Sequence, residues 1–293
     1  MSDLIEITNG DLTARINPLG AELWSVTDAQ DREYLTDADP AFWGGHAPLL
    51  FPIVGSLNGD VLRLDGREYT LPRHGFARRS MFAPVQVDAT SARFRLTDSP
   101  GTRAVYPFGF VLEMAYRLEG RTLAMEASVA NPNAQALPFS FGYHPAFAWP
   151  LPGGADKAAH KLVFECDEPQ DVRRVASGTG VLLPQGEATP VKGGKLVLSE
   201  DLFRADALIW DTVASRALSY GADGGAWLDI AFPDSRSLGL WQVPGARYIC
   251  IEPWAGHADP EGFDGDFREK PGVVLLEPGA TRSFRMDVTV RPR

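Results

Sequence analysis

Cysteine is scarce in this chain: 293 residues contain two, Cys166 and Cys250. Two thiols are too few for a disulfide framework, and Cys250 sits inside an apolar run. Basic residues are also in short supply. The 28 Lys and Arg against 38 Asp and Glu leave a formal charge of −10, which argues against nucleic acid as a partner because a phosphate backbone is bound through cationic surface. No apolar stretch is long enough to span a bilayer, and "MSDLIEITNGDL" has no basic region followed by an apolar run. The expectation is a cytoplasmic protein with no membrane partner. Also missing are H-E-x-x-H, a paired C-x-x-C, G-x-S-x-G and a Walker A loop, so neither a metal nor a cofactor is expected. The acidic "DPEGFDGDFREK" does not fit calcium-loop spacing and reads as a surface loop.

Long helical periodicity is lacking too, and 29 Gly and 23 Pro leave it little room. What replaces it is alternation with period two. In "FVLEMAYRLEG" Phe110, Leu112, Met114, Tyr116 and Leu118 share one face, with Glu113, Arg117 and Glu119 on the other. "TLAMEASVAN" and "SFRMDVTVR" alternate likewise, and "ARFRLT", "KLVLSE", "WLDIAF" and "RYICIEPW" are similar. Turn chemistry separates them, as in "LEGR", "ANPNA", "LPGGAD" and "GADGG". Only "DADPAFW" and "SEDLF" read as single helical turns. With no repeat and no dividing linker, residues 1–293 are expected to form one all-β domain, a large antiparallel β-sandwich of two layered sheets.

Five histidines are few enough to weigh singly. His160, among basic neighbours, reads as a solvated surface residue; His46 sits in a glycine loop beside aromatics, and His257 has only proximity to recommend it. His74, in "LPRHGFARR", sits in either a plain strand connection or a rigid loop that presents imidazole and guanidinium groups to a polar ligand. His144 ends "FSFGYH", where Phe139, Phe141 and Tyr143 face one way and Ser140, Gly142 and His144 the other. The second face is nearly bare, so a hollow is expected in front of the imidazole. Glu252, in "YICIEPW", shares a face with Cys250 and Tyr248. A glutamate in so apolar a strand is either ion-paired or a proton acceptor whose pKa burial has raised.

Taken together, "HGFAR", "PFSFGYHPAF", "LFRADALIW" and "CIEPWAGHAD" resemble, in order, the aldose 1-epimerase (galactose mutarotase) family, and in particular a less-characterised bacterial branch. The likeness runs from about Leu4 to Val290 and implies the large β-sandwich already expected. It implies His144 as general acid, Glu252 as general base and His74 as the second active-site histidine. Asp206 resembles the aspartate that binds sugar hydroxyls, and Arg78 is the candidate for the arginine brought to the sugar. The chain departs from the best-known members in carrying "PIVGSLNGD" before the first histidine, and Phe76 in place of a second glycine.

The implied reaction interconverts the α and β anomers of an aldose by ring opening and reclosure. It involves no redox change or group transfer, so it needs no cofactor. The implied partner is a monosaccharide, bound by a monomer or homodimer. Two alternatives stay open: a charged sugar, for which Arg73, Arg78 and Arg79 would form an anion cradle, and a carbohydrate sensor without catalysis.

Overall fold

A computed structural model describes residues 4–292. The alternating segments are strands, and every pairing between them is antiparallel. "FVLEMAYRLEG" supplies Val111–Glu119, which pairs with Thr122–Ala130 through the two-residue turn Gly120–Arg121. Gly120 stands at φ +55° there, in the left-handed region that such tight hairpins use. Nine strands form one sheet, from the edge Lys195–Val197 through the central Thr281–Arg291 to the other edge Ala83–Val87. An eight-stranded sheet faces it. Its middle is Tyr248–Ala255, flanked on one side by Ser237–Trp241 and on the other by the segment that carries the histidine motif.

The inward faces of these sheets make the core, which runs in one contiguous cluster from Ile7 to Val290. The bulky face of the "FSFGYH" strand points into it as the alternation requires: Phe141 stacks on Phe284 at 5.1 Å between ring centroids, and Phe139 meets the same ring at 6.0 Å. Tyr143 spans the two layers. Its hydroxyl accepts from the Ala127 N–H at 3.0 Å and donates to the Phe284 carbonyl at 2.8 Å, both on strands of the nine-stranded sheet. The residue that precedes His144 is therefore tied to the opposite layer of the sandwich.

Several local expectations need correction. "SEDLF" does form a 3₁₀ turn, Glu200–Phe203. "DADPAFW" closes a hydrogen-bonded turn, with the Phe42 and Trp43 N–H groups donating to the Asp39 carbonyl, but makes no helix. The single α-helix among the described residues is Pro100–Val105, begun by a Ser99–Thr102 capping box with proline at its first position. His160 is buried, not solvated: Nε2 accepts from the Leu151 N–H at 3.0 Å, and Nδ1 lies 2.9 Å from the Asp156 carbonyl. The acidic loop 259–270 is at the surface only in its middle. Its two ends, Asp259 and Lys270, are a buried ion pair 3.3 Å apart.

Replacing Tyr143 with Phe removes the strut between the layers and leaves the buried Ala127 N–H without that acceptor. Urea denaturation of Tyr143→Phe should show a loss of about 1–3 kcal/mol, and an unchanged midpoint would mean that the hydroxyl contributes nothing to holding the layers together.

Candidate active site

The geometry of the site follows from strand register. Along Tyr248–Ala255, Trp254 pairs with Gly142 and Cys250 pairs with Ala146. Both pairs belong to one antiparallel register, and the position midway between them sets His144 directly across from Glu252. Pro145 interrupts the ladder at this point, since it has no N–H to donate. Side chains that stand opposite each other on one face of a sheet are close neighbours, and His144 Nε2 lies 3.2 Å from Glu252 Oε2. Both are buried, at 6% and 2% exposure. On the other flank of Glu252 the facing residue is Gly239, which contributes no side chain.

The hollow expected from the bare face of the "FSFGYH" strand is not empty space at Gly142. A Cβ there would stand 2.5 Å from the Trp254 ring, and a Cβ at Gly239 would stand equally close to the ring's far edge. The two glycines thus make room for the Trp254 indole, which lies across them beside Glu252. Ser140 is likewise covered, by Gly256. The open volume lies above this floor. It is a cavity of about 300 Å³ lined by His144, Glu252, His74, Arg78 and Asp206 among others, with Trp43, Trp241 and Trp254 as aromatic walls. All five sequence-predicted site residues therefore meet in one place. His46 and His257 do not line it: the first stacks on Trp24 at 3.9 Å, and the second turns Nδ1 to the Ala258 carbonyl at 2.8 Å.

Each residue is held by its own local device. His74 has φ +65°, a left-handed conformation unusual for a residue with a Cβ. The Gly55 backbone holds it there from both sides: its carbonyl accepts from the His74 N–H at 2.9 Å, and its N–H donates to His74 Nδ1 at 3.1 Å. Because a backbone N–H can only donate, Nδ1 must carry a lone pair, and neutral His74 presents its Nε2–H instead. Arg78 is half-buried on a short 3₁₀ turn, Ala77–Arg79, with no carboxylate within 4 Å among the described residues. Asp206 is exposed, at φ +69°, and one carboxylate oxygen accepts from the Ala207 N–H.

Electrostatics set the protonation states. Burial pushes the Glu252 carboxyl well above its usual range. The Trp254 indole N–H, which lies near it without completing a hydrogen bond of normal geometry, opposes that rise; the Asp206 charge adds to it and Arg78 opposes it. Burial also depresses His144, to about 3, with the Arg78 charge acting in the same direction. The two shifts favour the uncharged form of each partner, so at neutral pH the pair holds one proton between two sites and carries no net charge. Burial, then the charges of His144 and the neighbouring arginines, hold His74 well below its usual value and keep it neutral. His144, Cys250 and Glu252 also offer ligand atoms within 4.8 Å of one another, all buried.

Some lining residues lie outside the motifs that mark the site in the sequence. Trp43 lies 5.1 Å from the His144 ring, Trp241 lies 5.8 Å from it, and the two indoles meet edge-on at 5.5 Å, so the three rings form one cluster. A signal for Trp43 exists in "WGGH": a Cβ at Gly45 would stand 2.4 Å from the indole, so the second glycine lets the ring fold back over the chain. Nothing local marks Trp241, Ile209 or Val175, which reach the cavity only through sheet order.

The chain is similar to known proteins over almost its whole length. The family model described as aldose 1-epimerase matches residues 3–289. Protein LacX, chromosomal, of Lactococcus lactis subsp. lactis is 32% identical over 98% of this chain and 99% of its own length. A galactose mutarotase related enzyme from Lactobacillus acidophilus superposes with a TM-score of 0.90 at 32% identity, covering 99% of this chain and 97% of its own. A galactose mutarotase-like protein from Lactobacillus casei ATCC 334 also gives 0.90, at 27% identity over 99% of this chain and 100% of its own.

A methyl group at Gly142 would displace the Trp254 indole from its slot toward the cavity. Gly142→Ala should cost about 1–3 kcal/mol of stability by overpacking and shift the tryptophan emission; an unchanged spectrum with full stability would show that the slot has slack.

Proposed function

The chain belongs to the aldose 1-epimerase family, and from that premise we propose that it catalyses the interconversion of α and β anomers of a sugar with Glu252 and His144 as the proton-handling pair. The observation that carries this reading is the 3.2 Å approach of His144 Nε2 to Glu252 Oε2 at the floor of an open cavity. Mutarotation moves protons at two oxygens bonded to the same carbon, the anomeric hydroxyl and the ring oxygen. A donor and an acceptor side by side on one sheet face suit that pair of atoms.

The proton count closes within the pair. With the single proton on His144, the Glu252 carboxylate takes the proton from the anomeric hydroxyl while the imidazolium gives its own to the ring oxygen. The bond from C1 to the ring oxygen breaks, leaving an aldehyde and a free hydroxyl, with the pair's proton now on Glu252. Rotation about C1–C2 and reversal of the same transfers close the ring on the other face. Burial favours the uncharged arrangement that the pair reaches at the open-chain stage, so the imidazolium–carboxylate arrangement is the higher in energy of the two and the forward transfers relieve it. His74 donates its Nε2–H to a sugar oxygen, Asp206 and Arg78 bind hydroxyl groups, and the indole walls cover the apolar faces of the ring.

General acid–base catalysis contributes roughly 10²–10⁴ per group, or about 3–5 kcal/mol. In NMR measurements of anomer exchange on freshly dissolved aldoses, His144→Asn and Glu252→Gln should each lower kcat by about 10²–10⁴. The double variant should fall little further, because each transfer assists the other. Full activity in either single variant would remove that residue from the mechanism.

The pH dependence follows from the shifted groups. The working state is a pair holding one proton beside a neutral His74; because both imidazoles are depressed, neither takes an additional proton as pH falls through the usual histidine range, so the acid limb of kcat/KM is displaced downward. Activity should stay flat between pH 6 and 7, with the acid fall well below the ordinary histidine value of 6.5. The alkaline fall comes when the pair loses its one proton. An inflection near 6.5 would mean that neither imidazole is shifted in the working enzyme.

A further inference from the structure

Arg73 is the charged cavity residue that the proposed mechanism leaves unused. It is exposed, whereas His144 and Glu252 are buried, so it marks the rim of a cavity whose floor holds the reacting pair. Its placement is built. Arg73 Nε donates to Ser56 Oγ at 2.8 Å. The guanidinium then crosses to the tight turn 176–181, where a Cβ at Gly180 would stand 2.0 Å from Nη2. Gly180 stands at φ +72° in a turn closed by the Gly180 N–H on the Ala176 carbonyl and the Ala176 N–H on the Val181 carbonyl, both at 2.8 Å. Only a residue without a side chain gives Arg73 this path. No carboxylate lies within 4 Å of its guanidinium among the described residues, and the terminal N–H groups have no hydrogen-bond partner there.

The two cavity arginines occupy different depths. The charge of Arg78 bears on both Glu252 and His144, and that of Arg73 on His74 alone of these three. Asp206, the one exposed carboxylate of the cavity, bears on Glu252 and forms no ion pair with Arg73. A sugar with its anomeric carbon at the floor and its far carbon extended toward Arg73 would meet an unpaired guanidinium there. Such a cation contrasts with a chain whose net charge is −10. Arg79, the third arginine of "LPRHGFARR", does not line the cavity.

We propose that the preferred substrate is an aldose with an anionic group, a phosphate ester or a carboxylate, on the carbon remote from the anomeric centre, and that Arg73 binds that group. This rests on the mutarotase reading above and names its substrate class. Guanidinium recognises both anions by charge-assisted hydrogen bonds.

The test is anomer exchange by the full-length protein on neutral hexoses, their 6-phosphates and the corresponding hexuronates at one ionic strength. At least one anionic series should exceed its neutral parent in kcat/KM by about tenfold or more, and comparison of the two series tells which anion fits. Arg73→Gln should draw that ratio toward one through KM, with kcat little changed, and Arg73→Lys should recover part of it. Gly180→Ala should lower the ratio with the guanidinium still present, and Arg79→Gln should leave it as in the wild type. A ratio near one in the wild type, no response to Arg73→Gln, or an equal response to Arg79→Gln would overturn the substrate class while leaving mutarotation standing. Acceleration of none of these sugars would overturn mutarotation itself.

Discussion

One register of strand pairing governs this site. The chain around residue 144 and the strand Tyr248–Ala255 are more than a hundred residues apart, and their antiparallel alignment sets an imidazole opposite a carboxylate on the cavity face. A shift of one residue would send His144 into the inter-sheet core and bring Tyr143 out, because successive side chains alternate across a sheet. Tyr143 guards against that slip. Its hydroxyl is hydrogen-bonded to two strands of the opposite sheet, so the register is held by the packing of the sandwich as well as by the ladder.

Buried ionisable groups are costly unless paired, and the fold uses pairing twice around the cavity. His144 and Glu252 share one proton and leave the floor uncharged. Asp259 and Lys270 do a different job just behind it. The Asp259 carboxylate accepts from the Asn58 N–H at 2.9 Å, and its own N–H donates to the Ser56 carbonyl at 2.8 Å. Those contacts, with Gly55 pressed against Ala258, fasten the 55–58 segment on which His74 and Arg73 depend. The loop that reads as a charged surface tract from its composition is thus the back support of one cavity wall.

Glycine has a consistent meaning in this structure. At Gly142 and Gly239 it clears a slot for Trp254, at Gly45 it lets Trp43 fold back, and at Gly180 it admits the Arg73 guanidinium. In each case the missing side chain is replaced by one from a distant or neighbouring segment that lines the cavity. A bare strand face therefore signals that something large arrives from elsewhere, and the hollow itself forms one layer further out.

Much of the architecture was legible in the chain. Period-two alternation is a local property, and it marked the strands, the sandwich and the faces on which His144 and Glu252 stand. The residues that resemble an aldose 1-epimerase pointed to His74, Arg78 and Asp206, which do line the same cavity. Alternation tells which side of a strand a residue occupies but not which strand lies beside it. Sheet order and register, which come from the packing of the whole sandwich, decided that Trp241 and Ile209 reach the site and that His46 and His257 do not. The same packing decided that His160 and Lys270 are buried and that Arg73 lines the cavity without a carboxylate partner, because burial is set by what distant segments place on top of a residue and not by its neighbours in sequence.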